Sequence, residues 1–256
     1  MNSLLFNDQT HFPPSRVIVA LDFQEANMAL NFIRQLDPSL CALKVGNELF
    51  TSAGPAFIEQ LIAQGFRVFL DLKFHDIPNT VQKACQAAAS LGVWMIDVHA
   101  AGGQKMLEAA ANAIAQVSTP PLLIGVTVLT SLQEKDLLTM GIDLSLASLV
   151  LKRANMVKEA GLDGVVCSAQ ETMAIKKNLG KQFLTVTPGM RFQEDKTHDD
   201  QMRIMTPKEA FEAGSDYLVI GRPIIKAKDP LEKLQQIRLI QLTASESFPS
   251  TKDFTE

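Results

Sequence analysis

Phe66-Arg-Val-Phe-Leu-Asp71-Leu-Lys73-Phe-His75-Asp76-Ile-Pro78-Asn-Thr80 is the stretch from which the rest of the chain can be read. It begins as an apolar strand, acquires three charges within six residues and turns at a proline into a helix. Successive side chains of a strand point to opposite faces, so Phe69, Asp71 and Lys73 are expected on one face and Val68, Leu70 and Leu72 on the other. Asp71 and Lys73 would then stand roughly 6–7 Å apart, close enough for each to bias the ionisation of the other. The opposite face is wholly apolar and is expected to be covered, which leaves the charges facing an enclosed space. Asp-x-Lys by itself fits a structural ion pair at a strand end equally well. Asp76, and a second charged strand upstream that carries Lys44, turn the balance towards a site.

Outward from this stretch the same alternation repeats. Arg16–Asp22 reads as a buried strand ending in a carboxylate. Glu25–Leu36 has helical apolar spacing (Met28, Leu30, Phe32, Ile33, Leu36) and stops before Asp37-Pro38. Leu40–Gly46 is the second strand, followed by a helix over Pro55–Ala63 and a stop at Gly65. Pro78 suits the first turn of a helix that runs to Leu91. Strands are then expected at Trp94–His99, Leu122–Leu129, Gly164–Cys167, Phe183–Val186 and Tyr217–Gly221. Helices are expected at Gln104–Ala115, within Asp143–Ala160, and at Ala169–Leu179, Pro207–Ala213 and Pro230–Leu242. Eight strand–helix units without a linker point to one α/β domain, a closed (β/α)8 TIM barrel. An open doubly wound sheet is the alternative, but no Gly-x-Gly-x-x-Gly follows the first strand. The barrel is expected over residues 16–242, with a lead-in segment at 1–15 and a mobile Ser/Thr-rich acidic tail at 243–256.

Composition agrees with a single large core. The chain has 256 residues, 46% of them hydrophobic and 20% charged, which argues against general disorder. Its 24 basic and 28 acidic residues form no basic block, so a nucleic-acid partner has no electrostatic support. Cys41, Cys85 and Cys167 are odd in number and lie in apolar surroundings, as buried thiols of a reducing compartment do. No targeting segment or membrane-spanning run is apparent, and a cytoplasmic location is expected.

In a (β/α)8 barrel, function gathers at the C-terminal ends of the strands. Asp22, Lys44, Asp71, Lys73 and His99 all fall at or near such ends, and a shared site explains them better than independent salt bridges. Thr130-Ser131, Thr187-Pro188-Gly189 and Gly221-Arg222 occupy the same level. Barrels often hold phosphate at the loops after the seventh and eighth strands; Gly221 permits close backbone approach and Arg222 offers a guanidinium fork. Arg191–Arg203 is a long polar connection with neither helical nor strand period, as a lid would be, with Arg191 and Gln201 as phosphate donors. His11, His75 and His198 lack metal-ligand spacing, and His99 reads as a hydrogen-bonded barrel histidine. No metal and no cofactor is expected.

Asp71-x-Lys73-x-x-Asp76-Ile77-Pro78-x-Thr80 resembles the signature of the orotidine 5′-phosphate decarboxylase family. The resemblance continues through Val17–Asp22, Leu43–Gly46, Val126–Ser131, Thr187–Arg191 and Ile220–Pro223, and is close to the bacterial branch. It implies decarboxylation of orotidine 5′-monophosphate to uridine 5′-monophosphate, the last step of de novo pyrimidine nucleotide synthesis, by a cofactor-free homodimer with shared active sites. By position it implies that Lys73 donates a proton to pyrimidine carbon 6. Lys44, Asp71, Lys73 and the Asp76 contributed by the second copy would form an alternating charge array. Asp22 and Thr80 would contact ribose, Ser131 the pyrimidine edge, and Arg191, Gln201, Gly221 and Arg222 the phosphate side.

Two other readings stand beside this one. Metal-dependent sugar-phosphate decarboxylases and aldolases of the wider superfamily place a metal-binding glutamate near the end of the second strand. Lys44 stands there in this chain and would repel a divalent ion. A non-catalytic nucleotide-binding barrel is the reading from another class, and the Lys/Asp array gives it little support.

Overall fold

Strands buried on both faces build the architecture. In the computed structural model, which describes residues 14–192 and 205–246, eight strands pair in parallel in chain order. They are β1 (Val17–Ala20), β2 (Ala42–Gly46), β3 (Val68–Phe74), β4 (Met95–His99), β5 (Leu122–Val126), β6 (Gly164–Val166), β7 (Leu184–Thr187) and β8 (Tyr217–Ile220). β1 also pairs with β8, with Val17 opposite Leu218, so the sheet closes into the expected barrel. One set of alternate residues, including Ile18, Ala42, Phe69, Met95, Ile124, Val186 and Val219, fills the barrel interior. The other set, including Val19, Leu43, Val68, Ile96 and Leu123, packs outward into the layer shared with the helices. At the bottom end Trp94 meets Tyr217 edge-on at 5.1 Å, and the Arg67 guanidinium lies 4.5 Å from the Trp94 ring centre. That end is sealed by packing, and the polar residues gather at the opposite end.

The helices follow the strands. They are α1 (Ala26–Ile33), α2 (Asn47–Ala63), α3 (Pro78–Ser90), α4 (Gln104–Ala115), α5 (Glu134–Thr139), α6 (Leu146–Glu159), α7 (Ala169–Leu179), α8 (Pro207–Glu212), α9 (Arg222–Ile225) and α10 (Pro230–Glu246). Four features depart from the sequence expectation. α2 begins at Asn47 and is kinked at Gly54 (φ 70°), so the expected Pro55–Ala63 helix is its second half. The short α5 was not expected; it is held by a reciprocal capping box between Gln133 and Asp136. α9 was not expected either: Arg222-Pro223 opens one turn directly after β8. α10 runs to Glu246 rather than stopping at Leu242, and Ala244 is buried against the barrel. Most of the lead-in, the lid candidate from residue 193 onward (with Gln201 and His198) and the remainder of the tail lie outside the described residues.

Candidate active site

Register sets the heights of the charged side chains. Lys44 is level with Ala20 on one side and Phe69 on the other, while Asp71 is level with Gly46, one interior step nearer the mouth. The long Lys44 side chain climbs that step, and its Nζ lies 3.1 Å from Asp71 Oδ2 and 3.8 Å from Asp22 Oδ1. The second Asp71 oxygen accepts from Lys73 Nζ. Asp71 thus stands between two ammonium groups. Burial acts to raise its pKa, but Lys44 and Lys73 outweigh burial and hold it below the usual carboxylate range. Burial acts to lower the Lys73 pKa, and the adjoining Asp71 carboxylate leads the charges that outweigh it, so the Lys73 pKa lies above the usual lysine value. Two glycines leave room for the cluster: a Cβ on Gly221 would approach Asp22 Oδ2 to 2.9 Å, and one on Gly46 would come 3.2 Å from Lys44 Nζ.

β3 does not continue as a regular strand through these residues. The pairing with β4 shifts between Leu70 and Phe74, and Lys73 has φ 51°, in the left-handed region that non-glycine residues seldom occupy. The simple alternation expected for Phe69, Asp71 and Lys73 therefore ends at Leu72. This bulge brings the Lys73 ammonium back onto Asp71, nearer than the rise of a regular strand would set it. The Lys73 N–H donates to Asp97 Oδ1 at 2.8 Å. Asp97, on β4, is fully buried and was not singled out by the sequence reading. The available signal was a carboxylate in an apolar strand, facing the barrel interior in step with Met95 and His99.

The cluster forms one wall of a cavity of about 260 Å³ at the barrel mouth. Gly221, Arg222 and Arg191 line the side contributed by the last loops, and Phe69, Val126 and Val186 supply apolar surface below. Arg191 also holds its loop, with its N–H donating to the Met205 carbonyl and Nη1 to the Met190 carbonyl. Asp22, Lys44, Asp71, Lys73, Arg191, Gly221 and Arg222 are thus brought together. Ser131 is exposed beside the cavity, which is lined instead by its neighbours Leu129 and Thr130. Asp76, on the turn entering α3, and Thr80, in the first turn of that helix, are exposed and away from the cavity; Asp76 Oδ1 accepts the Ile77 N–H at 2.6 Å. The His99 imidazole makes no hydrogen bond to a described residue, contrary to expectation. Its ring packs on His75 at 5.3 Å, and burial, then His75, Lys73 and Arg153, push its pKa down to about 4. Among the described residues no group of three His, Cys, Asp or Glu side chains is placed to hold a metal, and no helix is long and apolar enough to cross a membrane.

Known proteins resemble this chain. Residues 15–237 match the model of the orotidine 5′-phosphate decarboxylase / HUMPS family. A protein from Neisseria gonorrhoeae named orotidine 5′-phosphate decarboxylase is 51% identical over 240 residues, which cover 94% of this chain and 98% of the relative. One of the same name from Chromobacterium violaceum is 55% identical over 237 residues, covering 93% and 95%. The crystal structure of orotidine 5′-phosphate decarboxylase from Lactobacillus acidophilus superposes with a TM-score of 0.78 at 39% identity, covering 89% of this chain and 99% of that one. With the family model spanning nearly the whole barrel and these bacterial relatives matching end to end, the chain belongs to the orotidine 5′-phosphate decarboxylase / HUMPS family.

Proposed function

We propose that this carboxy-lyase converts orotidine 5′-monophosphate to uridine 5′-monophosphate and carbon dioxide in pyrimidine nucleotide synthesis, with Lys73 as proton donor to pyrimidine carbon 6. The observation that carries this reading is the Lys44–Asp71–Lys73 array at the mouth of the barrel. In the reaction, the bond between carbon 6 and the carboxylate breaks, carbon dioxide leaves, and the electron pair remains on carbon 6. No adjacent carbonyl is positioned to take up that pair as an ordinary electron sink. A fixed ammonium beside the carbon stabilises the developing charge and then transfers a proton, leaving Lys73 as a neutral amine that regains its proton from solvent. Asp71 keeps Lys73 charged and aimed. Lys44 fixes Asp71 from the other side and contacts Asp22, the candidate ribose ligand.

Arg191, Gly221 and Arg222 form the phosphate side, with Gln201 assigned to the same group. Binding energy from the phosphate would orient the ring at a distance from the reacting carbon. Asp76 is assigned to the site of a second copy across a two-fold axis, and its exposure on the turn before α3 supports this; Thr80, exposed in the first turn of α3, is assigned to ribose. Ser131 is assigned to the pyrimidine edge. The buried free thiols of Cys41, Cys85 and Cys167 suit a reducing compartment, and we place the enzyme in the cytoplasm.

Ultraviolet absorbance during incubation with orotidine 5′-monophosphate tests the reading. Wild-type protein is expected to turn the substrate over, and Lys73→Ala to lose nearly all turnover while retaining the fold. Turnover near the wild-type rate in Lys73→Ala would remove Lys73 from its role, and an inactive wild type would point to the nucleotide-binding reading.

A further inference from the structure

Asp97 is used by nothing in the account above except as an acceptor for one backbone N–H. It lies wholly inside the barrel, on the same face of β4 as Met95 and His99. Oδ1 accepts the Lys73 N–H at 2.8 Å. Oδ2 is buried and, among the described residues, has no donor. An unsatisfied buried carboxylate oxygen is costly, and it calls for a partner. The Asp71 carboxyl lies within hydrogen-bonding reach of Asp97. Two carboxyls at that separation in an enclosed space cannot both be anions; one must carry a proton and donate it to the other.

Position decides which. Asp71 contacts the Lys44 and Lys73 ammoniums, and each contact favours its charged form. Asp97 forms no ion pair with a described residue, and burial followed by the neighbouring Asp71 raises its pKa well above the usual carboxylate range. The remaining titratable neighbour is the Cys85 thiol on α3, which burial and then Asp97 push up to about 12, so it stays neutral.

We propose that Asp97 is a positioning residue of the catalytic cluster, a neutral carboxylic acid that accepts the Lys73 N–H on one oxygen and donates its proton to Asp71 from the other. The first contact holds Lys73 in its left-handed conformation, and hence aims its ammonium. The second fixes the rotation of the Asp71 carboxylate so that one oxygen meets each lysine. A neutral group does both without adding a negative charge beside the substrate carboxylate.

The inference rests on the decarboxylase reading for its kinetic arm alone. Asp97→Asn keeps an acceptor for the Lys73 N–H and a neutral donor for Asp71, whereas Asp97→Ala keeps neither. Asp97→Ala is expected to lower kcat by about 10- to 100-fold, the usual loss on removing a group that orients a functional ligand, with a smaller change in KM. Asp97→Asn is expected to recover most of that loss. Asn as impaired as Ala, or Ala with wild-type kcat, would overturn the proposal. The second arm needs wild-type protein only: infrared spectra at neutral pH, with carbon-13 in the aspartate carboxyls, should show an isotope-shifted band of a protonated carboxylic acid. Its absence would overturn the proposal even if neither variant folds. Wild-type protein that fails to turn over orotidine 5′-monophosphate would instead overturn the decarboxylase reading, and the infrared arm would still decide the protonation of Asp97.

Discussion

Asp71→Asn removes one charge from between two ammonium groups at almost constant volume. Lys44 Nζ is 3.1 Å from the Asp71 carboxylate, and at an effective dielectric constant of about 20 that contact alone corresponds to about 5 kcal/mol of attraction. Part of it is recovered in the variant. The Lys44 and Lys73 side chains are 13% and 29% exposed and gain hydration, Lys44 keeps Asp22 at 3.8 Å, and Asp97 is released to ionise towards Lys73. The net destabilisation expected is about 2–4 kcal/mol, near the lower end of what breaking a buried pair costs. The pH dependence follows from the depressed Asp71 pKa. Its contribution is fully present above the unfolded-state value of about 3.9 and is lost as pH falls through the lower folded-state value. Urea unfolding at fixed protein concentration should therefore show a wild-type advantage that is constant around neutrality and shrinks on acidification below about pH 4. Turnover should fall by about 100-fold or more, the scale for losing preorganised charge at a reacting centre. A loss of stability under about 1 kcal/mol, as for a solvated surface pair, with turnover within a few fold of wild type, would refute the reasoning.

His99, depressed to about 4 chiefly by burial, binds its proton in the unfolded state before it does so in the folded one. Wild-type stability should therefore decline as pH falls from about 6.5 towards 4, and His99→Gln should remove that part of the decline in urea midpoints; an unchanged slope would contradict it. Arg222→Ala should cost a few kcal/mol (~2–3) in kcat/KM for the phosphorylated substrate and leave reaction of the nucleoside almost unaffected, whereas equal losses would mean that Arg222 supports structure. If the site is shared, Lys73→Ala and Asp76→Ala chains should each be inactive alone yet complement after subunit exchange. Random reassortment of symmetric dimers would restore about a quarter of wild-type site activity, and no recovery in confirmed mixed dimers would remove Asp76 from the neighbouring site.

By itself the sequence determined the barrel and most of its charged mouth, because both follow from burial patterns that are local. Short, nearly continuous apolar runs mark the strands, and in a parallel barrel every strand ends at the same face, so Asp22, Lys44, Asp71 and Lys73 had to converge. Gly221 and Arg191 reach the cavity for the same reason, since both sit in loops that follow their strands. Elements shorter than one apolar repeat, such as α5 and α9, leave no periodic trace, and the kink at Gly54 hid the first half of α2. What only the tertiary structure decided is how the charges meet. Register places Asp71 one step above Lys44, and a bulge turns Lys73 into the left-handed region. Between them β4 brings Asp97 against both. Contacts across strands depend on stagger and on backbone torsion, and neither is carried by the one-dimensional spacing of residue types; Asp97, twenty-four residues beyond Lys73 in sequence, touches its N–H only because β3 and β4 pair at this register with a bulge at Lys73.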